Sequence, residues 1–265
     1  MNILDEIVSH KKKEVASRKE LYPTPLLEKS PFFDGETVSL SRYIKREDKS
    51  GIIAEFKRKS PSKPSINLYA DVEEVSVSYM QAGASALSIL TDTFFFGGKS
   101  EDLTTARRYN FCPILRKDFI IDEYQIIEAR SIGADAILLI SEILTKEEVK
   151  SLTALAHSLQ MEVLMEVHSE IQLDKYEGNI NLIGVNNRNL DTFVTDIQSS
   201  KDLYAKLPSE VTKISESGIH RVDDIHALKT IGYEGFLIGE RFMATANPGE
   251  ACQSFIKQIE AAELW

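Results

Sequence analysis

Along the chain, short apolar and β-branched runs alternate with stretches whose apolar residues recur at helical spacing. The runs predict strands at Ile52–Lys57, Ala86–Thr91, Pro113–Lys117, Ala136–Ile140, Val163–Val167, Leu182–Asn186, Thr212–Ser217 and Gly235–Gly239. Helices are expected between them, among others at Asp71–Ala82, Glu123–Ile132, Lys146–Leu159, Val222–Thr230 and Glu250–Glu260. Asp122 caps one of these. Thr145 with Glu148 makes the capping box of another.

Successive strand ends lie about 26 residues apart, roughly one βα unit. Nearly continuous apolar strands suit a parallel sheet covered by helices. Eight such units predict an α/β fold of the (β/α)8 TIM barrel kind. An open, doubly wound sheet is the alternative. The chain carries neither G-x-G-x-x-G nor G-x-x-x-x-G-K-[ST], so no nucleotide motif supports it.

The first 45 residues read as a separate N-terminal helical extension over the barrel mouth, with the catalytic barrel spanning 46–265. Asn2–Glu20 is predicted helical, with Ile3, Leu4, Ile7 and Val15 near one face. The lysine run Lys11–Lys13 is expected on its solvated side. Tyr22-Pro-Thr-Pro25 and Pro31 predict a linker, because proline restricts itself and its predecessor.

The 265 residues are 43% apolar and 27% charged, too apolar for a disordered chain. The net charge of −10 works against a nucleic-acid partner. No apolar run approaches the roughly 20 residues of a membrane span, and the charged N-terminus lacks a secretory apolar region. Two distant cysteines, Cys112 and Cys252, exclude a disulfide framework or cysteine zinc site and suit the cytoplasm. The histidines show no metal-binding spacing.

Barrels place their chemistry at the C-terminal ends of the strands. Those ends carry Glu55, Lys57, Lys59 and Ser60; Thr91 and Asp92; Lys117 and Asp118; Glu166; Asn186, Asn187 and Arg188; Ser215, Glu216, Ser217 and Gly218; Gly239 and Glu240. Strand alternation puts Glu55, Lys57, Lys117 and Glu166 on inward faces and Phe56, Met165 and Val167 on outward ones. Inward charge is costly unless paired, so this set is either a plain ion-pair ring or an acid–base site for an anionic substrate. Gly218 and Gly239 follow strands seven and eight. There barrels frequently bind phosphate through backbone N–H groups, with ordinary turn glycines as the alternative.

Phe94–Phe96 with Gly97 and Gly98 form either a mobile lid or a loop pinned by burial. His168 follows Glu166, but alternation fails past a strand end. It reads as a surface histidine or one standing behind the site.

The segment Ile53-Ala-Glu-Phe-Lys-Arg-Lys-Ser-Pro-Ser-Lys63 resembles the first-strand signature of indole-3-glycerol phosphate synthases. Thr91-Asp with Phe95-Phe-Gly-Gly98, Pro113-Ile-Leu-Arg-Lys-Asp-Phe119, Met165-Glu-Val-His168, Gly184-Val-Asn-Asn-Arg-Asn-Leu190, Ser215-Glu-Ser-Gly-Ile219 and Leu237-Ile-Gly-Glu240 continue the resemblance in order. It covers essentially the whole chain. It implies a carbon–carbon lyase of tryptophan biosynthesis that needs no metal or organic cofactor and takes a small sugar-phosphate substrate. Lys117 would be the acid of ring closure, assisted by Glu166. Glu55 and Lys57 would serve the loss of water, and Asn186 and Ser217 would hold substrate and Glu55. The resemblance places Lys59, Ser60, Gly218, Gly239 and the backbone of Glu240 at phosphate, and Arg188, Glu216 and Leu190 along the pocket.

The departures are Pro64, Asn189, Glu240 and Arg241. A glutamate beside phosphate would repel it, so the Glu240 carboxylate is expected to point away. Rival readings are a lysine Schiff-base aldolase, a phosphoribosylanthranilate isomerase, or a barrel kept as a scaffold. A monomer or weak homo-oligomer is expected.

Overall fold

The computed structural model describes residues 3–189 and 192–262. Eight parallel strands pair in sequence order and close on themselves, β1 against β8. They are β1 (Ile52–Phe56), β2 (Ala86–Leu90), β3 (Ile114–Lys117), β4 (Ala136–Ile140), β5 (Glu162–Val167), β6 (Leu182–Asn186), β7 (Thr212–Glu216) and β8 (Gly235–Ile238). Three helices precede β1: α1 (Ile3–Leu21), α2 (Thr24–Leu27) and α3 (Leu40–Ile44). The outer layer is α4 (Val72–Gln81), α5 (Ser100–Tyr109), α6 (Glu123–Ile132), α7 (Lys146–Ser158), α8 (Gln198–Tyr204), α9 (Val222–Ile231), the short α10 (Glu240–Met243) and α11 (Pro248–Ala262). This is the expected (β/α)8 barrel. Asp122 and the Thr145–Glu148 box cap α6 and α7 as the residue types predict. Among the described residues no helix is long and apolar enough to cross a membrane.

Two apolar layers follow from strand alternation. Phe56, Ile89, Met165, Val167 and Val185 point outward into the helix layer. Ile53, Ala86, Leu115, Leu138, Leu164, Leu182 and Ile214 fill the barrel. That inner cluster is closed at both ends by the N-terminal segment. Leu40 and Ile44 of α3 plug the N-terminal end, where Ser39, Ser41 and the Ser41 N–H donate to Glu162 at the start of β5. Leu4 and Ile7 of α1 pack with Phe119, Leu138 and Ile140 at the other end. Each such buried side chain contributes about 1.5–3 kcal/mol.

Two expectations change. Lys11 is not on a solvated face: it is 1% exposed and faces carboxylates of the barrel. The Tyr22–Pro25 stretch is not a free linker. It runs into α2, and the Tyr124 hydroxyl donates to the Tyr22 carbonyl at 2.8 Å. Further on, Ser30 donates to the Ser131 carbonyl at 2.5 Å.

Candidate functional site

The C-terminal mouth of the barrel encloses one cavity with two kinds of wall. Ile3, Leu4 and Ile7 of α1 join Leu90, Phe96, Phe119, Leu138, Ile140 and Leu237 on the apolar side. Glu55, Lys57, Ser60, Lys117, Glu166, Asn186, Arg188, Glu216 and Ser217 form the polar side. The apolar half can hold a flat ring, while the polar half carries the groups for proton transfer.

At its centre is Lys117, the last residue of β3. Its amine lies 2.9 Å from Glu166 of β5 and 2.8 Å from Glu216 of β7. Burial opposes the charge on this lysine, but Glu166, then Glu216 and Glu55, overcome it and hold the ammonium well above its usual range. Glu166 and Glu216 share that cation unequally. Burial would raise Glu166, but Lys117 and His168 bring it down to about 2. Glu216 is raised to about 7: burial is the largest cause, Lys117 offsets part of it, and Glu166 and Glu55 add to it. The second Glu216 oxygen is buried without a hydrogen-bond partner among the described residues. It lies against Gly184 of β6, where a Cβ would collide with it.

A second pair sits on β1. The Lys57 amine is 2.6 Å from one Glu55 oxygen, and Ser88 of β2 donates to the other at 3.3 Å. Glu55 lies so close to Gly239 that a Cβ there would come within 2.6 Å of its carboxylate. Gly239 thus makes room for Glu55 as well as for any anion. The Asn186 side chain hydrogen-bonds to Glu166, and its amide oxygen accepts the Arg188 backbone N–H at 3.0 Å. Asn187 points away from the mouth and braces β6 against β7 through Ser200, Ser215 and the Ser217 carbonyl.

Behind this mouth lies a notch lined by Lys57, Arg188, Ser217, Gly218, Gly239, Glu240 and Arg241. Ser217 and Gly218 follow one another at φ 65° and 71°, an unusual conformation for serine that turns the backbone sharply after β7. The Glu240 carboxylate accepts from Lys63 at 2.7 Å and faces Arg188 at 3.5 Å.

The structure brings Glu55, Lys57, Ser60, Lys117, Glu166, Asn186, Arg188, Glu216 and Ser217 to one cavity, with Gly218, Gly239 and Glu240 beside it. Lys59 stands apart. Its amine donates to the Phe94 carbonyl at 2.7 Å, and it lines a separate surface pocket with Tyr69 and Lys99. Leu190 lies outside the described residues. The Phe94–Phe96 loop is pinned: Asp92 accepts the N–H groups of Phe95 and Phe96, and Phe94 stacks on His10 at 4.5 Å. Sequence reasoning missed Ser88, although alternation from Ala86 would have turned it inward. It also missed the apolar wall, whose residues come from five separate segments.

A family model described as indole-3-glycerol phosphate synthase matches residues 4–255. The chain belongs to that family. It is 48% identical to the indole-3-glycerol phosphate synthase of Bacteroides thetaiotaomicron, over 98% of this chain and 99% of the relative. It is 45% identical to that of Bacillus cereus, over 92% and 94%. As a member of the indole-3-glycerol phosphate synthase family, the chain is an enzyme of the carboxy-lyase class in tryptophan biosynthesis. Solved structures share the fold at low identity. A 3-hexulose-6-phosphate synthase from Salmonella typhimurium aligns with TM-score 0.63 at 10% identity, over 79% of this chain and 98% of that one. A chain of the Pyrococcus furiosus tryptophan synthase complex aligns with TM-score 0.58 at 13%, over 81% and 99%.

Proposed function

We propose that the chain closes the ring of 1-(2-carboxyphenylamino)-1-deoxyribulose 5-phosphate, releasing CO2 and water to give indole-3-glycerol phosphate. The observation that carries this reading is the Lys117 ammonium, held between Glu166 and Glu216 opposite an apolar wall. The aromatic ring of the substrate fits the wall of Phe96, Phe119, Leu138 and Ile140. The phosphate fits the notch at Ser217, Gly218 and Gly239, where Arg188 adds a cation. The carbonyl between them then lies over the polar groups.

Ring closure joins an aromatic carbon to that carbonyl carbon and leaves charge on oxygen. Lys117 supplies the proton there. Decarboxylation restores aromaticity. Loss of the hydroxyl as water draws on the Glu55–Lys57 pair, and the Lys57 ammonium also suits the substrate carboxylate. A Schiff-base mechanism needs a neutral amine at Lys117, which the two flanking carboxylates oppose. Residues 1–45 act as an extension whose first helix supplies one wall of the mouth through Ile3, Leu4 and Ile7. This reading goes with a monomer or weak homo-oligomer in the cytoplasm.

The test is turnover of the carboxyphenylamino-deoxyribulose phosphate, followed by indole fluorescence with a chelator present. Wild-type protein should form indole. Lys117→Met should lose at least the ~10²-fold expected of a general acid while still binding substrate. Binding without turnover by the wild type would overturn the proposed reaction.

A further inference from the structure

His168 stands one residue past β5, at the boundary between two cavities. On one side is the catalytic cavity, lined by Glu166. On the other is a lateral cavity of about 570 Å³, lined by His168 with Glu142, Asn186, Arg188, Thr192 and Asp196. That volume holds many waters, and its wall is polar enough to keep them. The imidazole Nε2 lies 3.7 Å from Glu166 Oε1, while the other Glu166 oxygen is taken by Lys117. Both ring nitrogens are buried without a hydrogen-bond partner among the described residues. The backbone around the ring is firmly placed: the His168 N–H donates to Gln172 at 2.6 Å, and Gln172 in turn donates to Glu142. An imidazole whose two nitrogens are covered and make no hydrogen bond among the described residues, with a carboxylate 3.7 Å away, is costly unless it has work to do.

The proposed reaction sets that work. Its substrate enters as a carboxylate. One carboxylate plus one proton gives product, CO2 and water, so each turnover takes one proton from solvent, and that proton leaves in the water. Leu4 and Ile7 of α1 pack over the mouth, so a side entrance is useful. We propose that His168 relays this proton from the lateral cavity through Glu166 to Lys117, restoring the ammonium after each cycle.

The relay rests on the function proposed above, and its steps balance. When Lys117 gives up its proton, Glu166 loses the positive charge that holds its carboxyl low, and burial makes it a better base. The imidazolium N–H then breaks and a Glu166 O–H forms. The Glu166 carboxyl rotates to bring the protonated oxygen to Lys117 and hands that proton to the amine. A turn of the ring uncovers a nitrogen, and the neutral imidazole takes a replacement proton from hydronium or buffer acid in the lateral cavity. The charged groups around His168 are Glu166 at 3.7 Å from its own strand and, sharing the lateral cavity with it, Glu142 from the turn after β4 and Arg188 and Asp196 from the loop after β6. Acting through Glu166, His168 is a positioning and relay residue, not one that touches the reacting atoms.

The test compares wild type, His168→Gln, Glu166→Gln and the double variant in kcat, KM and pH profile. The relay predicts a kcat loss of about tenfold in His168→Gln, below the ~10²–10⁴-fold of a group that acts directly, with KM unchanged. Added imidazole should restore part of that kcat, since it fits the lateral cavity. The double variant should be no slower than Glu166→Gln alone, because both lie on one route. Wild-type kcat and pH profile in His168→Gln would overturn the relay. So would a loss that imidazole does not touch and that adds to that of Glu166→Gln. This second comparison remains decisive even if His168→Gln is partly destabilised. If the wild type itself does not turn over the substrate, the proposed function fails, a result distinct from active wild type with an indifferent His168→Gln.

Discussion

The amine of Lys11 lies 3.0 Å from the carboxylate of Asp118, the residue next to Lys117. The same amine reaches Asp92 at 2.8 Å and Glu14 at 3.0 Å. Asp92 anchors the loop that carries Phe96, and Asp118 accepts from Thr91 at 2.6 Å and from Arg116 at 3.1 Å. A single lysine thus ties α1 to the two segments that shape the aromatic side of the cavity.

Removing that lysine should be severe. Burial opposes its charge, and Asp118, Asp92 and Glu14 outweigh burial to raise it above the usual lysine range. Asp118 is held well below the usual carboxylate range, burial being outweighed by Lys11 and then Arg116. Lys11→Met takes the cation from buried Asp92 and leaves Asp118 with Arg116 alone, and should cost about 3–5 kcal/mol in urea unfolding. The signs follow from linkage. A raised lysine stabilises fully below about pH 10 and loses its contribution as pH rises beyond that. A depressed Asp118 stabilises above about pH 4 and loses its contribution as pH falls. The cost in Lys11→Met should therefore be largest near neutral pH. KM should rise as well, since α1 walls the cavity. A loss below about 1 kcal/mol would mean that α1 is held by its other contacts, the buried Leu4, Ile7 and Val15 and the Arg18–Glu128 pair.

Lys11 also marks where sequence reasoning stops. Periodicity finds the apolar stripe of α1, and a lysine inside the run Lys11–Lys13 follows the polar pattern. Nothing local reveals that Asp92 and Asp118 meet it in space. The strands were legible for the opposite reason. Most are nearly continuous apolar runs, and the alternation within Glu55–Lys57 and Leu164–Glu166 correctly turned the charged residues inward. Glu216 was visible at a strand end, yet its contact with Lys117 depends on Gly184 of the neighbouring strand leaving space. Lys59 shows the converse: it adjoins the site in sequence, but its strand has already ended and its amine turns to Phe94. The short α3 escaped notice because five residues carry too little periodicity.

Glu216 gives a prediction of opposite sign to Asp118. Its carboxyl is raised to about 7, chiefly by burial. The folded chain therefore keeps a proton that the unfolded chain releases near pH 4.5. Stability from this group is fully present below about pH 4.5 and is lost as pH rises to about 7. Glu216→Gln removes that titration while keeping an acceptor for Lys117. Urea unfolding at pH 5 and pH 8 should show a smaller pH-dependent fall in the variant than in the wild type. Parallel curves would place the proton elsewhere in the Lys117 cluster.

Glu240 tests the notch. Its carboxylate holds Lys63 at 2.7 Å and faces Arg188, which lines the proposed phosphate notch, at 3.5 Å. Burial works against its charge, but Lys63 first and then Arg188 keep it ionised below its ordinary range. The carboxylate has not turned away from the site's cations; it occupies them. A dianionic phosphate must compete for the same cations and then sit near a like charge. Such repulsion amounts to about 1 kcal/mol at 4 Å in water and more as water is excluded. Glu240→Gln should therefore lower KM severalfold with kcat unchanged, and the difference should shrink in high salt. Stability should move by no more than about 0.5 kcal/mol, because half-exposed ion pairs contribute little. A higher KM in the variant would show the opposite role, with Glu240 holding Lys63 and Arg188 in the positions that phosphate needs.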